Sequence, residues 1–171
     1  MRHEYGTKHP EGQLLATSCV RVRSFAPELR SAPQLHGQDD FVGYFDYGPG
    51  MSRGHVFLVA PVPAAMDISI GELLQAADPK RRPFWLEAKL TNGRLGADEP
   101  FEAYVPPKQH SPDPGATIVE REAVLIRGSL HSVCGKRYLV AVQGNPRITE
   151  SSEWPFIRKH YDLFVSNIQW P

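Results

Sequence analysis

The sequence predicts an α+β fold. The expected form is a twisted antiparallel sheet of about six or seven strands, with a short helix near 69–77 and a long C-terminal helix packed on it. Three stretches carry that expectation. Ile118 to Ile126 and Lys136 to Val142 are β-rich runs, the second entered through a short turn at Cys134-Gly135. Beyond the breaker Gly144-Asn145-Pro146, Trp154, Ile157, Tyr161, Phe164, Val165 and Ile168 recur at steps of three and four. That spacing is the apolar face of a helix over roughly 152–168. Two adjacent strands and a helix long enough to cover them make a core unit.

Residues 1–12 read as a loose lead-in, and 13–171 as one domain with room for an ordinary hydrophobic core. Leu14 to Phe25 is expected as a first strand, its Arg21 and Arg23 alternating with Val20 and Val22. Pro27, Pro33 and Gly37 mark 26–40 as a loop. Phe41 to Tyr47 is aromatic and β-branched and reads as a strand, closed by Gly48-Pro49-Gly50. His55 to Ala60 is apolar on both faces, which suits a central strand.

Asp67 or Ser69 is placed to cap a helix in which Ile70, Leu73, Leu74 and Ala77 share a face, and Asp78-Pro79 stops it. Lys80-Arg81-Arg82 reads as a solvated loop. Pro83 to Leu90 is expected as a strand leading into Asn92-Gly93, a hairpin signal because both turn positions favour positive φ. Phe101 to Val105 is the return strand, and Pro106 to Gly115 a long exposed loop. Ser151 or Ser152 is expected to cap the last helix, with Pro155 in its first turn, where backbone donors are unpaired anyway.

Composition narrows the function. Hydrophobic residues make up 41% and charged residues 22%, within the globular range. Lysine plus arginine equals aspartate plus glutamate at 19 each, so no global field draws the chain to nucleic acid or an acidic membrane. The longest apolar run, Val56 to Val62, is too short to span a bilayer, and the polar start lacks a secretory pattern. The expectation is a cytoplasmic chain with neither partner. Cys19 and Cys134 leave one bridge open, with two reduced, buried thiols the expected state.

Gly50-Met51-Ser52-Arg53-Gly54 matches the G-x-S-x-G of a nucleophile elbow, which needs a strand before it and a helix after it. Here a strand follows and Gly48-Pro49-Gly50 precedes, so the pattern reads as a glycine-rich hairpin loop. None of the seven histidines has metal-ligand spacing, and His36 to Asp40 reads as a solvated acidic turn. No metal or cofactor is expected. Glu120 and Glu122 fall on one face of their strand, with Arg121 and Arg127 on the other.

The order of the strand Ala123–Ile126, the strand Arg137–Val142, the loop Gly144–Glu150 and the helix ending Leu163-Phe164-Val165-Ser166-Asn167-Ile168 resembles the Mog1/PsbP-like α/β sandwich, including its DcrB-like members. The resemblance covers about a third of the chain and rests on pattern. It implies an antiparallel sheet packed with helices and a role in binding other proteins. The functional expectation is accordingly a non-enzymatic adaptor, accessory or chaperone-like factor for another polypeptide. Tyr44, Tyr47, Trp85 and Tyr104 are its candidate binding residues, since aromatics are enriched at interfaces. The alternatives are a small hydrolase or small-ligand enzyme using Ser52 with His55 or His131, and a carrier of an apolar ligand.

Overall fold

The computed structural model describes residues 14–16, 19–23, 29–31, 42–46, 55–64, 67–77, 82–96, 99–146 and 149–171, with the backbone alone for 14–16, 29–31, 42–46, 82 and 83. The chain runs β1 (Leu14–Ala16), β2 (Arg21–Arg23), β3 (Leu29–Ser31), β4 (Val42–Asp46), β5 (His55–Val62), α1 (Ile70–Ala77) and α2 (Arg82–Trp85). It continues through β6 (Lys89–Asn92), β7 (Phe101–Val105), β8 (Lys108–His110), β9 (Ile118–Arg121), β10 (Val124–Val133), β11 (Lys136–Gly144), α3 (Glu150–Ser166) and β12 (Ile168–Gln169).

Seven described strands form one antiparallel sheet in the order β3-β4-β5-β11-β10-β7-β6. The fold is α+β, as expected. Its centre is set by the strands that are apolar on both sides: Val59 stands opposite Val140, and Ser129 opposite Val140 from the other flank. The β10–β11 hairpin turns through Cys134 and Gly135, with φ of 53° and 70°. A two-residue turn with both φ positive matches the right-handed twist of the strands it joins.

Alternate residues of the same strands face two different layers. Phe57, Val59, Leu125, Val140 and Val142 pack with Ile157, Tyr161 and Phe164 of α3. Ala60, Ile126, Leu130, Leu139 and Ala141 pack with Ile70, Leu73, Leu74 and Ala77 of α1 and Trp85 of α2. The helices therefore lie on opposite faces of the sheet. A small second sheet, β1-β2-β12, completes the α3 side, where Val20, Val22 and Ile168 join the core.

Several sequence expectations are corrected. Leu14 to Phe25 holds two short strands that pair with each other, Leu15 opposite Val22. Residues 83–90 begin as a short helix, because Pro83 is tolerated where a helix starts, and Ala88 N then closes a turn on the Trp85 carbonyl at 3.0 Å. The expected loop 106–115 contains β8, which pairs with β9 as a separate two-stranded arm. Residues 118–126 divide between β9 and β10. The Asn92-Gly93 pair opens a longer connection rather than a two-residue turn. Gly93 has φ +72°, and a Cβ there would sit 2.6 Å from the Pro100 carbonyl oxygen.

The last helix starts earlier and ends earlier than its apolar spacing suggests. Thr149 is the cap: its hydroxyl accepts from the Ser152 amide at 3.2 Å, and the Ser152 hydroxyl accepts from the Thr149 amide at 3.2 Å. Pro155 consequently falls in the second turn. Asn167 ends α3, its side-chain amide donating to the Leu163 carbonyl at 2.8 Å, and Ile168 peels off to pair with Val22. Cys19 and Cys134 form a disulfide across 115 residues of sequence. The expectation of two reduced thiols is therefore wrong. It rested on a cytosolic chain in which a free cysteine is a small core residue, whereas the fold brings Cys19, just before β2, onto Cys134 in the β10–β11 turn.

Candidate functional site

Polar groups gather on the α3 side of the sheet in three clusters. The first is His55, at the start of β5, with Glu153 and His160 from α3. His55 Nε2 lies 2.9 Å from Glu153 Oε1, and His55 Nδ1 lies 2.7 Å from His160 Nδ1. With Nε2–H donating to the carboxylate, Nδ1 of His55 is the acceptor for His160. Gly144 makes this packing possible: a Cβ there would lie 2.5 Å from His55 Cδ2. His55 and Glu153 are both buried, and Phe57 packs its ring 5.8 Å from that of His160.

The second cluster links Tyr161, Ser129 and His131. The Tyr161 hydroxyl donates to Ser129 Oγ at 2.6 Å, and Ser129 Oγ shares a second hydrogen bond with His131 Nε2 at 2.7 Å. Burial, foremost, raises the Tyr161 hydroxyl above its ordinary value. His131 stacks on Trp170 with ring centroids 4.5 Å apart. The third cluster is Glu102 with two arginines. Arg158 grips the carboxylate with both Nε and Nη2, at 2.7 and 2.8 Å, and Arg127 Nη1 lies 3.1 Å away. The Arg158 hydrogen bonds, first among the causes, hold the Glu102 carboxyl below its ordinary range.

These clusters resemble catalytic sets in composition and differ in access. Ser129 is 1% exposed, and its hydroxyl already accepts from Tyr161 and is hydrogen-bonded to His131. A hydroxyl so placed meets no substrate. In the His55 cluster, His55 and Glu153 are buried beneath α3 and His160 is half-buried.

The open ground lies elsewhere. A groove of about 670 Å³ runs between the β8–β9 arm and the start of α3, lined by Tyr104, Gln109, Val119, Glu122, Thr149 and Glu150. Tyr104 is half-buried there, and burial together with its hydrogen bond to Glu150 pushes its hydroxyl up to about 12. Across the base of the arm, a second groove of about 470 Å³ is lined by Leu86, Lys89, Pro106, Lys108 and Arg121. Arg121 is engaged there with Glu87 and with the Pro106 carbonyl. The arm itself exposes Ile118 and Val119, at 47% and 51%.

No protein-family model matches the chain, and no curated protein matches it in sequence. Its site is read from its own geometry.

The sequence-predicted residues divide accordingly. Ser52 and Tyr47 lie outside the described residues, as does His36, and Tyr44 is placed in β4 by its backbone, opposite Phe57. Trp85 is 1% exposed, and core packing accounts for it. Of the two aromatic candidates whose side chains are described, Trp85 and Tyr104, Tyr104 lines a groove. His55 and His131 belong to different clusters, His55 with Glu153 and His131 with Ser129. Glu120 and Glu122 do not act as a pair, since Glu120 engages His110 at 2.9 Å and Lys108 at 3.6 Å. Among the described residues, no group of three His, Cys, Asp or Glu side chains is placed to hold a metal ion.

Sequence reasoning missed Glu153, Ser129 and Glu102. Glu153 had a signal: it precedes Ile157 and Tyr161 at steps of four, on the apolar face of α3. A carboxylate in that row requires a buried partner.

Proposed function

We propose that this chain is a non-enzymatic binding domain for another polypeptide, docked at the groove between the β8–β9 arm and the start of α3. The carrying observation is the contrast in access: the Ser129 hydroxyl is buried at 1% exposure, while the groove is open and edged by the exposed Val119. Exposed apolar groups beside polar ones are what a partner's side chains need, because water is excluded at the centre and hydrogen bonds form at the rim. The order β10–β11–α3 resembles the Mog1/PsbP-like sandwich, whose families mostly bind proteins, and this supports the same reading.

The disulfide bears on where such binding occurs. Bridges persist in oxidising compartments and are rare in the cytosol, so the Cys19–Cys134 pair favours an oxidising compartment over the cytoplasm expected from sequence. No helix among the described residues is long and apolar enough to cross a membrane.

Native mass spectrometry of the protein purified from its host tests the reading. The wild-type chain is expected to carry a second polypeptide at fixed stoichiometry. Val119→Asp, a change on an exposed arm, is expected to weaken that complex by about tenfold or more. A complex indifferent to the substitution removes the groove from the reading. Labelling of Ser52 by a serine-reactive phosphonate would replace it with a hydrolase.

A further inference from the structure

The small sheet β1-β2-β12 is attached to the body in an unequal way. Its β2 strand pairs with β12 over Val22 opposite Ile168 and Arg21 opposite Gln169, and the Arg23 amide donates to the Asn167 carbonyl at 2.9 Å. Val20 and Val22 are buried against the α3 side of the core. Next to Val20 stands Cys19, bonded to Cys134. The main sheet has no such economy. Its β10–β11 pairing runs unbroken from Leu125 opposite Gly144 to Val133 opposite Lys136, and β11 pairs along β5 from Arg137 to Gln143.

We propose that the Cys19–Cys134 bridge is a redox clasp, which locks the β1–β2 hairpin onto β12 and the end of α3 and releases it on reduction while the main sheet stays folded. The placement of the two sulfurs suits this. Cys134 sits in an exposed hairpin turn and Cys19 is only half-buried, so the bond is open to attack. A dithiol thiolate attacks the Cys134 sulfur and expels the Cys19 thiolate, which takes up a proton. The second thiol of the reductant then attacks the mixed disulfide and releases Cys134. The bridge gains two electrons and two protons, and the dithiol becomes a disulfide.

Release has a structural consequence. Among the described residues the hairpin then keeps its β2–β12 pairing, the Arg23 amide's hydrogen bond to Asn167 and the buried Val20 and Val22, and its departure uncovers Ile168 and the part of the α3-side core that those valines cover. The clasp thus switches an apolar surface between covered and open, independently of what the groove binds.

Hydrogen exchange on the full chain, with and without dithiothreitol, tests the clasp. On reduction the amides of residues 20–23 and 168–169 are expected to exchange on the order of 100-fold faster, the size of a typical bridge effect. The amides of Leu139 to Val142 are expected to keep their protection. The double variant Cys19→Ser with Cys134→Ser, measured without reductant, is expected to match the reduced chain. Equal loss of protection along Leu139 to Val142 would make the bridge a staple for the whole fold and overturn the clasp. Unchanged exchange at 20–23 would overturn it too, as would alkylation of either cysteine before reduction.

Discussion

The two faces of the sheet are built from alternate residues of the same strands, yet they solve opposite problems. All four side chains classed as buried and polar among the described residues, His55, Glu102, Ser129 and Glu153, meet partners on the α3 side. The α1 side is filled by Leu73, Leu74, Leu130, Leu139, Phe101 and small alanines. A dry face gains stability from area and is indifferent to pH. A face of paired charges gains less, since desolvation offsets much of the attraction, but each pair fits one helix position only. Both faces gain from apolar area, the α3 side through Phe57, Val59, Leu125, Val140, Val142, Ile157 and Phe164, and the α3 side adds the buried polar pairs that fix how the C-terminal helix sits.

That division can be broken from either side. Leu139→Ala, fully buried on the dry face, is expected to cost about 3 kcal/mol, through lost transfer energy and the cavity left behind. Denaturation at neutral and at acid pH should return the same loss. Glu102→Gln on the other face is expected to cost about 2 kcal/mol at neutral pH, because Arg158 and Arg127 lose their shared carboxylate. Its pH dependence has a definite sign. The folded carboxyl lies below its unfolded value of about 4.3, so its contribution is full above that pH and is lost as pH falls through the folded value. Wild type and variant should converge in acid. A Glu102→Gln loss that persists undiminished there would put the two faces on the same footing.

The apolar packing of both faces was largely legible in the sequence, the α3 row Ile157, Tyr161 and Phe164 included, and the buried polar pairing was not. Ile70, Leu73, Leu74 and Ala77 announce α1 by spacing alone, and the strand expected at His55 to Ala60 follows from its apolar run. Burial by area leaves a periodic trace, because every residue of a stripe contributes the same way. Pairing leaves none. His55 meets Glu153 and His160 from 98 and 105 residues away, and Cys19 meets Cys134 across 115. Such distances are set by sheet order, with β5 beside β11 and α3 laid across β10 and β11. Trp85 misled for a different reason: an aromatic run behind a proline suits a strand and a short helix equally, and packing beneath α1 decided between them. The groove was legible only through Tyr104, because its walls come from the β8–β9 arm and the start of α3.

A third substitution sharpens the comparison at the histidine cluster. Gly144→Ala places a methyl against the His55 ring and is expected to cost about 2 kcal/mol by overpacking. His55→Ala alone leaves Glu153 buried without its partner and is destabilising for that separate reason. Because His55 is the group the new methyl strikes, the double variant should lose clearly less than the two single losses added together. Additive losses in a double-mutant cycle would mean that the glycine serves the strand and not the ring.

The smallest expected effect lies at Tyr104, where the α3 side opens into the groove. Tyr104→Phe removes one hydroxyl that bonds to Glu150 at the helix start, and should cost no more than about 1 kcal/mol at neutral pH. Its value is in alkali. The folded hydroxyl titrates at about 12, raised by burial and then by the Glu150 carboxylate, against about 10 in the unfolded chain. The folded state therefore keeps a proton that the unfolded state gives up, and stability falls as pH rises from the lower value through the higher. The phenylalanine variant should lose the Tyr104 part of the alkaline decline and keep the part due to Tyr161, whose hydroxyl is raised as well. A polypeptide seated in the groove would bury Tyr104 further and push its titration higher still. Alkaline titration of the free chain and of its complex thus separates a groove that is used from one that is merely open.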